Sequence, residues 1–254
     1  MKKNRNFGFP LSYILLRLII LILITLIILL LFFLNFSYYI LSIISFVILP
    51  IYVFYSVIYF KNKFLKNREE LLKKMIELAN INGNELVLDL GTGSGFLAIG
   101  FAKKLKNGVS FGIDKFNFKN ENLKIRIIRL IKINFIYNTL KNAIENAKNE
   151  NLEDKCKFIK ADITKPLNFT DDFFDIIVSC QFFYCIDKNK RKNVYKEINR
   201  VLKKGGKIIF FESKFFRDWN INEMKNFFEK NKYKISLIPS KDFKKCYILY
   251  GEKI

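Results

Sequence analysis

The stretch Leu86–Gly100 reads LVLDLGTGSGFLAIG: an apolar run holding one carboxylate, Asp89, and then Gly91, Gly93 and Gly95 separated by Thr92 and Ser94. Alternate glycines strip Cβ atoms from the backbone, so a ligand can lie directly on it, and they allow a tight turn into the next element. Amides at a helix start carry partial positive charge and suit a carboxylate or phosphate. Three cofactor loops compete for such a stretch. A phosphate loop needs Gly-x-x-x-x-Gly-Lys-Ser/Thr, and no lysine stands at the required place. A dinucleotide loop needs Gly-x-Gly-x-x-Gly, and the sixth position counted from Gly91 is Phe96. A Gly-x-Gly-x-Gly loop with an acid two residues ahead remains, and Asp89 is that acid.

The chain of 254 residues contains no histidine, which removes Ser-His-Asp and Cys-His catalysis, histidine-ligated metals and an imidazole base. Cys156, Cys180, Cys185 and Cys246 show no Cys-x-x-Cys spacing. They read as reduced thiols in a cytosolic catalytic part, and no metal is expected. Lys and Arg total 44 against 23 Asp and Glu, a net charge of +21. That balance fits an anionic partner such as a membrane surface, a nucleic acid or a phosphorylated substrate. It also fits drift toward AT-rich codons, since Lys, Ile, Asn and Phe are all abundant.

The elements that must position Asp89 and the glycines follow from the pattern after Lys61, where charges become frequent. A helix is expected over Asn67–Ala79 and a buried strand over Glu85–Leu90. A helix from Ser94 should end at a Gly108 cap, followed by a strand over Val109–Asp114 and a helical region from about Asn117 to Asn149. KCKFIKAD, FFDIIVSC and GKIIFFES read as further strands. DKNKRKNVYKEINRVLKKGG reads as a helix capped by Asp187 and stopped at Gly205-Gly206. A helix near Asn220–Asn231 and the strands YKISLIP and KCYILYGE complete the chain. The expectation is a Rossmann-like α/β fold: a doubly wound, seven-stranded, mostly parallel sheet in a domain over 67–254, with ligands outside the carboxyl ends of the strands.

No charged side chain stands between Leu18 and Phe60. One helix over that run would measure about 64 Å at 1.5 Å per residue, twice a hydrocarbon core of about 30 Å. Two transmembrane helices are therefore expected, near Leu11–Leu34 and Tyr38–Phe60, broken at Asn35-Phe36-Ser37 and with Pro50 kinking the second. They would form an anchoring hairpin over 1–66. Lys2, Lys3, Arg5 and Arg17 precede the pair and Lys61, Lys63, Lys66 and Arg68 follow it, which places both termini and the catalytic domain on the cytoplasmic side. A cleaved signal peptide fits less well, because the run is too long and no A-x-A-like site follows it. A buried helical hairpin is the soluble alternative.

The order and spacing of the remaining motifs carry a family resemblance. After the acid and glycine loop comes an acid 23 residues beyond Gly91 (Asp114). Then come Ala161-Asp162, Phe174-Asp175-x-x-Val178 and Leu202-Lys203-x-Gly205-Gly206. Over most of 75–213 this series resembles the class I S-adenosylmethionine-dependent methyltransferase family. The resemblance implies S-adenosylmethionine as cofactor. It implies that Asp89 holds the amino group of the methionine moiety, and that the turn Gly91, Thr92, Gly93 and Gly95 passes beside the cofactor. Asp114 would accept both ribose hydroxyls, having the two acceptor oxygens a cis-diol requires. Asp162 would meet the adenine amino group with the Ile163 amide near the ring, and the segment from Ser179 would face the methyl group. Singly, Asp114 and Asp162 also fit solvated carboxylates at strand ends. The stretch Lys115–Leu140 departs from the family pattern by carrying extra residues.

Methyl transfer from a sulfonium is an in-line displacement with a good leaving group, so the protein needs mainly to align donor and acceptor and exclude water. The absence of histidine points to an acceptor that ionises easily, such as a phenol or activated carbon, or to a base among Tyr184, Asp187 and Glu212. Asp187 also fits a plain helix cap. Ser179-Cys180-Gln181-Phe182-Phe183-Tyr184 lacks the Pro-Pro-aromatic run of the amine methylators in that family. Cys180 lacks the preceding proline of its cytosine-carbon enzymes and reads as a small thiol. The segment looks more like the small-molecule, quinone-type C-methyltransferase branch. Three adjacent aromatics suit an apolar planar acceptor. A membrane tether concentrates an enzyme where a lipid-soluble substrate lives. On a helical wheel, residues 122–135 group Arg126, Arg129 and Lys132 opposite Ile127, Leu130 and Ile131, either a surface helix on anionic lipid or an ordinary sheet-packed one. The rivals are a tethered RNA or protein methyltransferase, although no RNA-binding module is visible; a nicotinamide-dependent oxidoreductase, opposed by Phe96; and a cofactor-dead membrane scaffold, opposed by the intact Asp89, Asp114 and Asp162.

Overall fold

The computed structural model describes residues 39–116, 139–216 and 218–254, with short helical pieces between 19 and 27; for 39–49, 215 and 216 only the backbone is described. From Glu69 onward the described residues form one compact unit, and those up to Arg68 belong to another.

The chain order is helix α1 (Tyr39–Ala79), β1 (Leu86–Leu90), α2 (Phe96–Ala102), β2 (Val109–Asp114), α3 (Leu140–Asn149), β3 (Cys156–Lys160), β4 (Phe174–Cys180), α4 (Lys188–Val201) and β5 (Leu202–Ser213). A short ribbon of β6 (Phe215–Phe216) and β7 (Trp219–Asn220) follows, then α5 (Ile221–Lys230), β8 (Tyr233–Pro239) and β9 (Cys246–Lys253). The main sheet has the order β3-β2-β1-β4-β5-β9-β8. Its first five strands run parallel, and β9 is antiparallel to both neighbours. This is the expected seven-stranded, mostly parallel sheet.

Side chains alternate across the sheet, and both faces are covered. Val87, Ile176, Val178, Ile209 and Phe211 pack with Leu71 and Met75 of α1 and Leu97 and Phe101 of α2. Leu88, Leu90, Ile177, Ile208 and Phe210 pack on the opposite face with Val194 and Ile198 of α4 and Met224 and Phe228 of α5. Strands buried on both faces read as unbroken apolar runs, as these do. Strand order reverses between β1 and β4, and the crevice outside their carboxyl ends is where such sheets bind ligands.

Several elements differ from expectation. The helix after the glycine turn stops at Ala102, six residues before Gly108. Gly108 is no cap: a Cβ there would sit 2.3 Å from the Glu85 carbonyl oxygen, so its requirement is close backbone approach. Helix α4 stops at Val201 instead of at Gly205-Gly206. Leu202 already pairs with Phe174 and Lys207 with Ile176, so the Lys-Lys-Gly-Gly run bulges out of the strand entry, with Gly205 at φ 72°. Asp187 stands at the N-cap of α4 without a side-chain capping bond, its carboxylate facing Lys190 at 3.4 Å. The helix expected over Asn67–Ala79 is the tail of α1, which runs through without a break because no glycine or proline stands between Phe60 and Asn67. Pro50 lies inside it.

Among the described residues no helix is long and apolar enough to cross a membrane. Most of the span expected over Leu11–Leu34, the break at Asn35–Ser37 and the segments 117–138 and 122–135 lie outside the described residues.

Candidate active site

The glycine turn joining β1 to α2 is bound to the end of β2. Gly91 N and Thr92 N both donate to Ile113 O (2.9 and 3.0 Å), and Gly95 N donates to Thr92 O (2.8 Å). Gly91, Gly93 and Gly95 have φ of 69°, 53° and 85°, a region where a side chain would clash with its own backbone. Asp89 is buried beneath the turn, and its Oδ2 accepts from Thr92 Oγ1 (2.7 Å) and from the Ala98 amide (3.1 Å). Gly95, the N-cap of α2, offers no side-chain oxygen, so Asp89 supplies the missing acceptor from below. The acid two residues ahead of the glycines therefore orders the turn from inside.

The positions left free by Gly91 and Gly95 are filled. A Cβ on Gly91 would sit 2.2 Å from Phe182 Cδ2, and one on Gly95 would sit 2.8 Å from Phe158 Cζ. At these two positions rings of the protein itself make a close approach to the glycine backbone.

Asp114 ends β2. Its Oδ2 accepts from Gly93 N (3.0 Å) and its Oδ1 from Phe116 N (3.1 Å). Burial pushes its carboxyl above the ordinary value, and these amides only partly offset the rise. Asp162, just beyond β3, accepts from Thr164 N (3.0 Å) and Thr164 Oγ1 (2.7 Å) and faces Lys115 Nζ at 3.1 Å. Partial burial raises its carboxyl, but the Thr164 and Lys115 bonds outweigh that and hold it below the ordinary range. Asp89, Asp114 and Asp162 thus stand at or beyond the carboxyl ends of neighbouring strands β1, β2 and β3. Ile163 turns its side chain into the core.

On the other side of the crevice, β4 and β5 build a different surface. Ser179 is sealed from solvent and donates to Glu212 Oε1 (3.4 Å). Glu212 is itself fully buried, and the same oxygen accepts from Phe182 N (2.7 Å) and Phe183 N (3.3 Å). Its Oε2 has no partner among the described residues. Burial pushes the Glu212 carboxyl up to about 8 despite the amides, so it is mostly protonated at neutral pH. Burial also raises the Tyr184 phenol above its ordinary value. Asp187 is an exposed ion-pair residue. Cys180 is half-buried at the end of β4. Of the expected base candidates, Glu212 and Tyr184 are thus held in their protonated forms at neutral pH, an arrangement that suits a reactant already activated for attack.

The sequence reading missed Lys115, Asn146, Phe158 and Arg191, and it took Phe182 only as one of three aromatics suited to an acceptor, not as the ring packed on Gly91. Asn146 donates to the Ser94 carbonyl (3.0 Å) from a buried position on α3. Its signal was a polar residue inside the apolar stripe of Ala143 and Ala147. Arg191, buried on α4, donates to Ile186 O (3.0 Å), Asp218 O (3.0 Å) and Asp218 Oδ1 (3.1 Å), and lies over the Trp219 ring at 5.3 Å. It sits in a run of charges that reads as a solvated face, so the sequence held no signal for it. Among the described residues no group of three or more His, Cys, Asp or Glu could hold a metal.

The family described as "Methyltransferase domain" matches residues 118–210. A ubiquinone/menaquinone biosynthesis C-methyltransferase (UbiE) of Pectobacterium carotovorum is 30% identical over 138 residues, 54% of this chain and 46% of that protein. A ribosomal RNA small subunit methyltransferase A of Caldanaerobacter subterraneus is 37% identical over 65 residues, 26% of this chain and 24% of that protein. The chain thus spans less than half the length of these curated relatives. A crystal structure described as a SAM-dependent methyltransferase from Aquifex aeolicus is 18% identical and superposes with a TM-score of 0.51, over 72% of this chain and 88% of that one.

Proposed function

We propose that this chain carries a class I S-adenosylmethionine-dependent methyltransferase domain and that the whole protein is a membrane-anchored enzyme moving a methyl group to an apolar small molecule or lipid, with a quinone-like acceptor. When bound, the cofactor supplies an electrophilic methyl group. Asp114 and Asp162 would hold its nucleoside end at the tips of β2 and β3, and the turn Gly91–Gly95, ordered by Asp89, would support its amino-acid end. Both carboxylates are already shaped as acceptors of N–H groups, which is the donor chemistry that hydroxyl and amino groups would replace or share. Ser179, fully buried, would contribute only by its bond to Glu212.

The observation that carries the choice of acceptor is the aromatic exit of β4. Phe182 and Tyr184 are half-buried just after β4, backed by the fully buried Phe183, which stacks on Trp219 at 5.8 Å and 14°. Such a surface favours a planar apolar molecule. The quinone-methylating relative supports the same choice. With Glu212 held protonated and the Tyr184 phenol raised by burial, an acceptor that brings its own nucleophilicity, as an ionised ring does, is favoured. For the membrane, the supporting feature is α1: Ile51, Tyr52, Phe54, Tyr55, Tyr59 and Phe60 are all exposed, an apolar surface too large for water contact and suited to acyl chains. The basic flanks support a cytoplasmic side for the domain.

The test is transfer of labelled methyl groups from S-adenosylmethionine in membranes containing the full chain, followed by separation of lipid, RNA and protein. Label in the lipid extract is the expected result. Label only in RNA or protein would replace the acceptor class, and recovery of the chain in the soluble fraction would remove the anchor.

A further inference from the structure

Phe182 is the side chain packed directly on Gly91, at the place where strand order reverses. Its backbone is fixed from several directions. Its amide donates to the fully buried Glu212 at 2.7 Å, and the next amide, Phe183 N, donates to the same oxygen at 3.3 Å. The preceding residue, Gln181, has φ 55°, donates its amide to Phe211 O (2.8 Å) and its side-chain nitrogen to Cys246 Sγ (3.7 Å). The Phe182 ring meets Phe183 edge-on at 5.6 Å, and Phe183 is itself buried against Trp219 and Phe210. These contacts hold the ring against Gly91.

The ring is half-buried, so it still presents part of its surface. An aromatic face carries negative partial charge and attracts a cation within about 6 Å, most strongly where water is excluded. The methyl donor is a sulfonium cation, whereas the product left after transfer is a neutral thioether. We infer that Phe182 is a cofactor-binding residue whose ring selects the charged donor over the neutral product, and that Glu212 is the residue that positions it. The inference rests on the methyltransferase reading. It gives the enzyme a means of releasing spent cofactor: the attraction disappears with the charge.

Calorimetry on the full chain in detergent, with S-adenosylmethionine and S-adenosylhomocysteine as probes, tests this without an acceptor. Phe182→Leu should weaken the sulfonium roughly tenfold and the thioether less than about twofold. Fluorinated phenylalanines placed at position 182 keep the ring volume and weaken its negative face, so sulfonium affinity should fall in step with fluorination while thioether affinity holds. Glu212→Gln keeps an acceptor oxygen for both amides and should preserve the ratio of affinities; Glu212→Ala should lower it as Phe182→Leu does. Equal loss for both ligands, or a gain for both on shortening the ring, overturns the inference while leaving the methyltransferase reading intact. A wild-type chain that binds neither ligand overturns that reading, and the inference with it.

Discussion

Replacing Glu212 by glutamine should change how the stability of the protein depends on pH. The carboxyl is fully buried with one oxygen unpartnered, and its value rises from 4.5 in the unfolded chain to about 8 in the native one. Between those values the folded protein holds a proton that the unfolded chain has lost, so stability falls as pH rises through the window and levels off above about 8. That gap corresponds to about 5 kcal/mol at 1.36 kcal/mol per pH unit. Relaxation and water entry around an ionised group reduce it to about 2–4 kcal/mol. Glutamine keeps the oxygen that accepts from Phe182 and Phe183 but cannot ionise, and its buried amide donors cost about 1–3 kcal/mol at every pH. Urea unfolding of both full-length proteins in detergent, from pH 5 to 8.5, isolates the effect. The wild type should be the more stable at pH 5, and its advantage should shrink or reverse by pH 8.5. A difference that stays constant across that range refutes the buried, protonated state of Glu212.

Three further perturbations address the rest of the site. Gly91→Ala forces φ 69° on a residue with a Cβ and drives that atom to 2.2 Å from the Phe182 ring, which should cost about 2–4 kcal/mol and lower the melting temperature; an unshifted melting curve would contradict the packing. Asp114→Ala should weaken S-adenosylmethionine roughly 10- to 100-fold in calorimetry. Because burial holds the Asp114 carboxyl above its ordinary value, wild-type affinity should start to fall in mildly acidic buffer, where protonation removes an acceptor, sooner than a solvent-exposed aspartate would allow. Arg191→Ala strips the donors from the Ile186 and Asp218 carbonyls and should cost about 2–4 kcal/mol. Emission of Trp219, the single tryptophan, should shift to the red as its surroundings open, and an unmoved spectrum would count against this link.

The sequence by itself determined the sheet and the order of its motifs. Apolar runs such as LVLDL, DIIVS and KIIFF allow little but strands buried on both faces, and the glycines at 91, 93 and 95 require a left-handed turn whatever surrounds them. The ends of elements were less legible. Lys-Lys-Gly-Gly reads as a helix stop by local preference, yet pairing of Leu202 with Phe174 turns it into a bulge. What occupies a glycine's empty side was beyond local reading, because Phe182 lies 91 residues from Gly91 and reaches it only when β4 lies beside β1. The same holds for Glu212. The sequence offered it as a candidate base, and only the tertiary contacts with Ser179 and the bend after β4 made it a buried acid. Propensity and periodicity act over a few neighbours, whereas burial, charge state and hydrogen-bond partners are set by whatever the folded sheet brings alongside.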